Sequence, residues 1–173
     1  MALVDFDLKT ALGADTSESV QRFAVYLPNQ DRDQKPVENF DKWVDSAMEI
    51  MVRINGGVTQ LPLAAGRFRV KNEDGSERIV GENTVVVYSY LFEPDDFVRE
   101  FDKIKRFIDT FGKITNQKSV MVEFSGLEPS DDDPESLVYC TDAYMISKYP
   151  KAVAIEPWKD PTQFLPEGFV PVR

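Results

Sequence analysis

The chain has 173 residues, a formal net charge of −10, one cysteine and no histidine. That inventory excludes histidine triads, HExxH metal centres, imidazole proton shuttles and an internal disulfide, and it leaves a four-ligand zinc site without donors. The acidic balance disfavours direct binding to a phosphate backbone. No apolar run reaches the ~18 residues of a membrane span, and the start lacks the basic n-region of a secretory signal. These features lead to the expectation of a cytoplasmic protein without metal or cofactor.

Residues 1–19 carry a short apolar periodicity (Leu3, Phe6, Leu8, Leu12) that stops at Gly13 and read as an N-terminal arm. Arg22–Pro28 alternates Phe23, Val25 and Leu27 against Ala24 and Tyr26, the pattern of a strand ended by proline. Asn29–Glu38 is polar and longer than usual connections, which suits a mobile surface loop or a binding lip. Asn39 is placed as an N-cap. Phe40, Trp43, Val44, Ala47, Met48, Met51 and Ile54 follow at helical spacing, with Gly56 at the C′ position.

Pro62 interrupts the apolar Gln60–Ala65 segment, as at an edge or a bulge. Gly66–Val70 alternates again and leads into a turn at Asn72–Gly75. The next strand carries a bulge at Gly81 and continues into Asn83–Leu91, the longest β-branched and aromatic run. Pro94, Asp95 and Asp96 open a second helix. Its stripe is Phe97, Phe101, Ile104, Ile108 and Phe111, widened by Val98 and Phe107 and stopped by Gly112. Ser119–Phe124 forms a fourth strand.

The order strand, helix, strand, strand, helix, strand predicts an α+β ferredoxin-like βαββαβ sandwich: a four-stranded antiparallel sheet with both helices on one face. The domain spans 20–126. Residues 127–173 form an extension that begins with an acidic linker, Glu128–Ser136. Leu137–Cys140 is a possible fifth strand, and Ala143–Lys148 is ambiguous. The proline-rich tail carries Val153, Ile155, Trp158, Phe164, Leu165, Phe169 and Val170, enough apolar surface to require docking on the domain or on a partner subunit. Cys140, in an apolar context, reads as a buried, inert thiol.

Several short features converge between Arg22 and Phe124: the strand ending near Tyr26, Trp43 in the first helix, Gly56-Gly57-Val58-Thr59, Gly66-Arg67-Phe68, the charged hairpin with Gly75, and Gln117–Glu123. In these the chain resembles a small, functionally uncharacterised family of bacterial ferredoxin-like domains. The resemblance implies the fold and supplies no activity.

With Phe23, Val25, Phe68, Val70, Val85, Val87, Val120 and Val122 under the helices, alternation puts Ala24, Tyr26, Arg67, Arg69, Thr84, Val86, Tyr88, Tyr90, Met121 and Glu123 on the far face. The first expectation for this surface is a non-catalytic interaction or regulatory module. It would act through Tyr26, Arg67, Arg69, Tyr88, Tyr90, Glu123 and the tail residue Trp158, by self-association or with another protein. The second is a small histidine-independent acid–base enzyme, with Glu123 exchanging protons, Arg67 or Arg69 holding an anionic substrate, and Tyr26 beside them. Single-stranded nucleic acid stacked on Tyr26, Tyr88 and Tyr90 fits the residue types but not the charge. An acidic nucleic-acid mimic built on Asp131, Asp132, Asp133 and Glu135 is the remaining alternative.

Overall fold

The computed structural model describes residues 11–13, 20–71, 74–129, 137–146 and 149. In chain order the elements are β1 (Gln21–Pro28), α1 (Phe40–Asn55), β2 (Thr59–Gln60), β3 (Ala64–Lys71), β4 (Glu77–Leu91), α2 (Pro94–Ile114), β5 (Val120–Pro129) and β6 (Leu137–Ile146). All pairings among the strands are antiparallel, and the sheet has six strands rather than four, in the order β2-β4-β1-β5-β6 with β3 also on β4. β2 and β3 share one edge of β4, separated by the Leu61–Leu63 break that Pro62 enforces. The Ser119–Phe124 strand extends to Pro129, and β6 pairs along that whole length, absorbing Ala143–Ile146.

The amphipathic stripes put both helices on one side of the sheet. Phe23, Val25, Leu27, Val85, Val87, Leu91, Val120 and Val122 are buried there with Trp43, Ile50, Met51, Ile104, Phe107, Ile108 and Phe111. Trp43 meets Phe111 edge-on at 5.5 Å, and Phe23 meets Phe97 at 5.2 Å. Aromatic pairs at such offsets add about 0.5–1.5 kcal/mol each beyond their buried area. The predicted α2 stripe is too wide: Val98 is exposed, and Phe101 sits at the rim, where it meets Phe23 edge-on at 6.2 Å. Asn39 does occupy the N-cap position of α1, but in the left-handed region (φ 52°) with no side-chain cap; its carbonyl accepts from the Lys42 and Trp43 amides instead.

Four further expectations are corrected. Gly81 pairs with Arg67 in an unbroken register, so there is no bulge and residue parity is preserved along β4. Phe68 therefore shares a face with Val80 and Tyr88, and is partly exposed where the β3–β4 hairpin runs past the helices. The side chain of Val70 lies outside the described residues. The Asn29–Glu38 loop is not loose: the Asp31 carboxylate accepts from the Asp33 and Lys35 amides at 2.8 and 2.9 Å, and Arg32 donates to the carbonyls of Gln117 and Tyr149. Cys140 is half-buried rather than enclosed.

Gly112 does not stop α2, which continues to Ile114. Its lack of a side chain serves packing. A Cβ there would overlap the ring of Tyr149, whose hydroxyl donates to the Ile108 carbonyl at 3.3 Å. Burial pushes the Tyr149 phenol up to about 12, with the nearby Asp109 carboxylate adding to the shift. Overpacking of this kind costs about 1–3 kcal/mol. Gly112→Ala is therefore expected to lower Tm by several degrees, and by much less in a Tyr149→Ala background. Equal effects in both backgrounds, read by thermal denaturation, would remove the packing explanation.

Candidate functional site

β1 is the central strand, and its alternate residues Arg22, Ala24 and Tyr26 point away from the helices. Register fixes what stands beside each. Arg22 lies between Tyr90 and Ser125, Ala24 between Tyr88 and Glu123, and Tyr26 between Val86 and Met121. Directly opposed side chains on a sheet are about 5 Å apart at Cβ, with diagonal neighbours also in reach of long side chains. Ala24 is the small member of its row. Its methyl leaves space over the middle of the strand, into which longer neighbours lean.

Glu123 receives two of them. The Tyr26 hydroxyl donates to its Oε2 at 2.9 Å, and the Arg22 guanidinium forms a hydrogen-bonded ion pair with its Oε1. The Glu123 side chain is only 14% exposed and that of Arg22 35%, so the pair is largely withdrawn from bulk water. The Arg22 guanidinium carbon also lies 5.6 Å from the Tyr88 ring centroid, within cation–π range, and Tyr88 meets Tyr90 edge-on at 5.7 Å.

These contacts set the protonation states. The hydrogen bond to Glu123 raises the Arg22 guanidinium further above its ordinary value, against the opposing effect of burial. Burial first, and then the bond to Glu123, push the Tyr26 phenol up from 10.0, so it stays protonated. Two polar atoms beside the pair are buried and unsatisfied among the described residues: Arg22 Nε and Ser125 Oγ. Buried polar atoms are seldom left without a partner, and such exceptions mark places that water or a ligand completes.

The structure thus brings together Tyr26, Tyr88, Tyr90 and Glu123 of the predicted set. It does not bring Arg67 and Arg69 to them. With no bulge at Gly81, both arginines pair with the odd-numbered β4 residues Gly81 and Ile79, on the opposite side of the hairpin from Tyr88. Arg69 is instead 3.3 Å from Glu77 at an exposed position. Trp158 lies outside the described residues. The cation that does reach Glu123 is Arg22. Its signal was present in the i, i+2, i+4 spacing Arg22-Ala24-Tyr26. Ser125, also unforeseen, follows from Glu123 by the same period.

Two other features lie apart from this cluster. A groove of about 270 Å³ on the helix side is lined by Ile50, Ile54, Arg53, Arg99 and Lys103. Its cations are committed to Glu49, Asp96 and Glu100 within their own helices, which makes it a salt-bridged seam. Glu82 is a half-buried carboxyl raised by desolvation, opposed by the Thr84 hydroxyl at 3.1 Å, and it stands six residues along β4 from Tyr88. Among the described residues no cluster of three or more potential metal ligands occurs, and no helix is long and apolar enough to cross a membrane.

No protein-family model and no curated protein matches the chain. Two solved structures do match. One is a phage SAM lyase in complex with S-methyl-5'-thioadenosine, at 18% identity and a TM-score of 0.45, covering 76% of this chain and 92% of that one. The other is a phage SAM lyase in the apo state, at 17% identity and a TM-score of 0.46, covering 82% and 100%. The expected non-catalytic interaction module has no counterpart here: both structures are of an enzyme, and that reading is withdrawn.

A raised tyrosine pKa has a thermodynamic sign. The folded state favours the neutral phenol, so the contribution of Tyr26 is fully present below pH 10 and is lost as pH rises through the raised value. Tyr26→Phe is expected to be the less stable protein near pH 8, with the gap to wild type closing above about pH 10. Melting curves at a series of pH values check this; a gap constant up to pH 11.5 would count against the Tyr26–Glu123 bond.

Proposed function

We propose that the far face of the sheet is a small-molecule site for histidine-independent acid–base chemistry, with Glu123 as the proton acceptor. The observation that carries this reading is a fixed carboxylate flanked by two unsatisfied buried polar atoms, Arg22 Nε and Ser125 Oγ. Buried polar atoms are seldom left without a partner, and these two belong to residues paired across the β1–β5 register beside Glu123.

The chemistry follows from the partners. An ionised carboxylate has about four lone-pair sites, and Tyr26 and Arg22 occupy two, so Glu123 keeps acceptor capacity. A substrate carrying its own carboxylate or phosphate would draw the guanidinium toward itself through the Nε–H that has no partner among the described residues, leaving Glu123 Oε1 open to accept a proton. Tyr26, still protonated, would donate to the substrate or return a proton. Tyr88 and Tyr90, set edge-on to each other, give an aromatic corner for the uncharged part of the ligand. A small anion or zwitterion with a planar or apolar portion fits this set.

We also read the fold as ferredoxin-like. The order of β3, β4, β1 and β5 across the sheet, with α1 and α2 as the two split crossovers, supports that reading, and β6 extends it by one strand at the β5 edge.

A panel of small carboxylates and zwitterions, with SAM among them, can be titrated into labelled protein and followed by NMR. Bound members are expected to perturb residues 22, 26, 88, 123 and 125. Turnover of any member should fall about 100-fold or more in Glu123→Gln. Ligands that bind only elsewhere, or turnover that survives Glu123→Gln, would contradict the assignment.

A further inference from the structure

The register places three chemically different groups around one point of the far face. Arg22 and Ser125 stand directly opposite each other on β1 and β5, and Glu123 is the neighbouring residue of β5 on that face, beside Ala24. Opposed side chains have Cβ atoms about 5 Å apart, and residues i and i+2 of a strand are about 7 Å apart. Arg22 offers a cationic donor in Nε and Ser125 a neutral one in Oγ, both buried and without hydrogen-bond partners among the described residues. Beyond Ala24 stands Tyr88, and beyond Arg22 stands Tyr90.

Ser125 is only 1% exposed although it lies on the face away from the helices. Reaching its hydroxyl from that face requires a neighbouring side chain to shift. The one directly opposite is Arg22, 35% exposed and held to Glu123. The shift that frees Glu123 Oε1 therefore also uncovers Ser125. A charged and a neutral donor side by side match a ligand with an anionic and a neutral acceptor on adjoining carbons. A 2-oxo acid has that pattern, and a carboxylate can remove the proton next to its carbonyl once the oxygen is stabilised.

We infer that Ser125 is a catalytic residue of this site, its hydroxyl holding the enolate oxygen of a 2-oxo acid with an aromatic side chain; this rests on the assignment of Glu123 as the proton acceptor. The carboxylate of the substrate takes the Arg22 Nε–H, and its carbonyl oxygen takes the Ser125 Oγ–H. The next carbon lies over the Ala24 methyl, between Glu123 and Tyr88, with its aryl group against the tyrosine corner. Glu123 removes a proton from that carbon. The C–H electron pair becomes the C=C bond, and the C=O π pair moves onto oxygen, where the Ser125 donor and the Arg22 charge meet it. The proton then passes from Glu123 to that oxygen, giving the enol, or back to carbon, restoring the ketone. No oxidant, reductant or second substrate enters the balance.

The probe is phenylpyruvate, with deuterium uptake at its benzylic carbon followed by NMR in heavy water on the full chain. Wild type is expected to accelerate this exchange over buffer, and Glu123→Gln to abolish the acceleration. Ser125→Ala should lower kcat about 100-fold and leave KM nearly unchanged, because the hydroxyl acts on charge that develops only during the reaction. Its Tm should stay at the wild-type value, since Oγ makes no hydrogen bond among the described residues that the fold would lose. Exchange lost in Glu123→Gln but retained in Ser125→Ala would overturn this inference and leave the Glu123 assignment standing. Exchange that survives Glu123→Gln would overturn both. A wild type that does not accelerate the exchange would overturn the substrate class and the role of Ser125 with it. Loss of Tm together with activity in Ser125→Ala would assign the hydroxyl to the fold instead.

Discussion

The uninterrupted antiparallel register of β1 with both its neighbours is the constraint on which the structure depends. β1 pairs with β4 from Gln21 to Pro28 and with β5 from Arg22 to Tyr26, without a bulge on either side. Because side chains alternate with a period of two, that register decides two things at once. Phe23, Val25 and Leu27 go under the helices, where they close the core with Trp43 and Phe111. Arg22, Ala24 and Tyr26 go to the other face, where Glu123 and Tyr88 flank them. A slip of one residue would bury a guanidinium under the helices and expose the core apolar residues. The hydrophobic effect therefore holds the polar cluster in place, although no apolar residue takes part in it.

That coupling explains how a site can be built without histidine or metal ligands. The Arg22–Glu123 pair is only partly exposed, so its attraction is less screened than at an ordinary surface bridge, and the Tyr26 hydrogen bond fixes the second oxygen. The cost of desolvating such a pair is offset only when its hydrogen-bonding capacity is used, and here Arg22 Nε is left over. The sheet register holds the arrangement, and Arg22 Nε and Ser125 Oγ stay without hydrogen-bond partners among the described residues.

Much of this was legible in the amino-acid sequence, for definable reasons. β1, β4 and the two helices have strong periodicities, and Pro94, Gly56 and Gly75 mark their ends or turns by backbone geometry that few other residues adopt. The misplacement of Arg67 and Arg69 came from a single parity decision. A glycine inside a strand can signal a bulge, but at Gly81 it does not, and every β3 side chain changes face as a result. Gly112 was misread in the same way: it reads locally as a helix stop, whereas its role is to admit the ring of Tyr149 from 37 residues along the chain, a contact no local pattern encodes. Arg22 was visible in the alternation of its own strand. Its pairing with Glu123 was not, because the sequence does not state which strand lies beside β1.

The most direct measurement of the central claim is nitrogen-resolved NMR of the Arg22 guanidinium in the intact protein, compared with Glu123→Gln. An ion pair held by the β1–β5 register predicts hindered rotation, with distinct Nη signals that collapse to an averaged one in the variant. A freely rotating Arg22 in the wild-type protein, indistinguishable from the exposed arginines, would contradict the account.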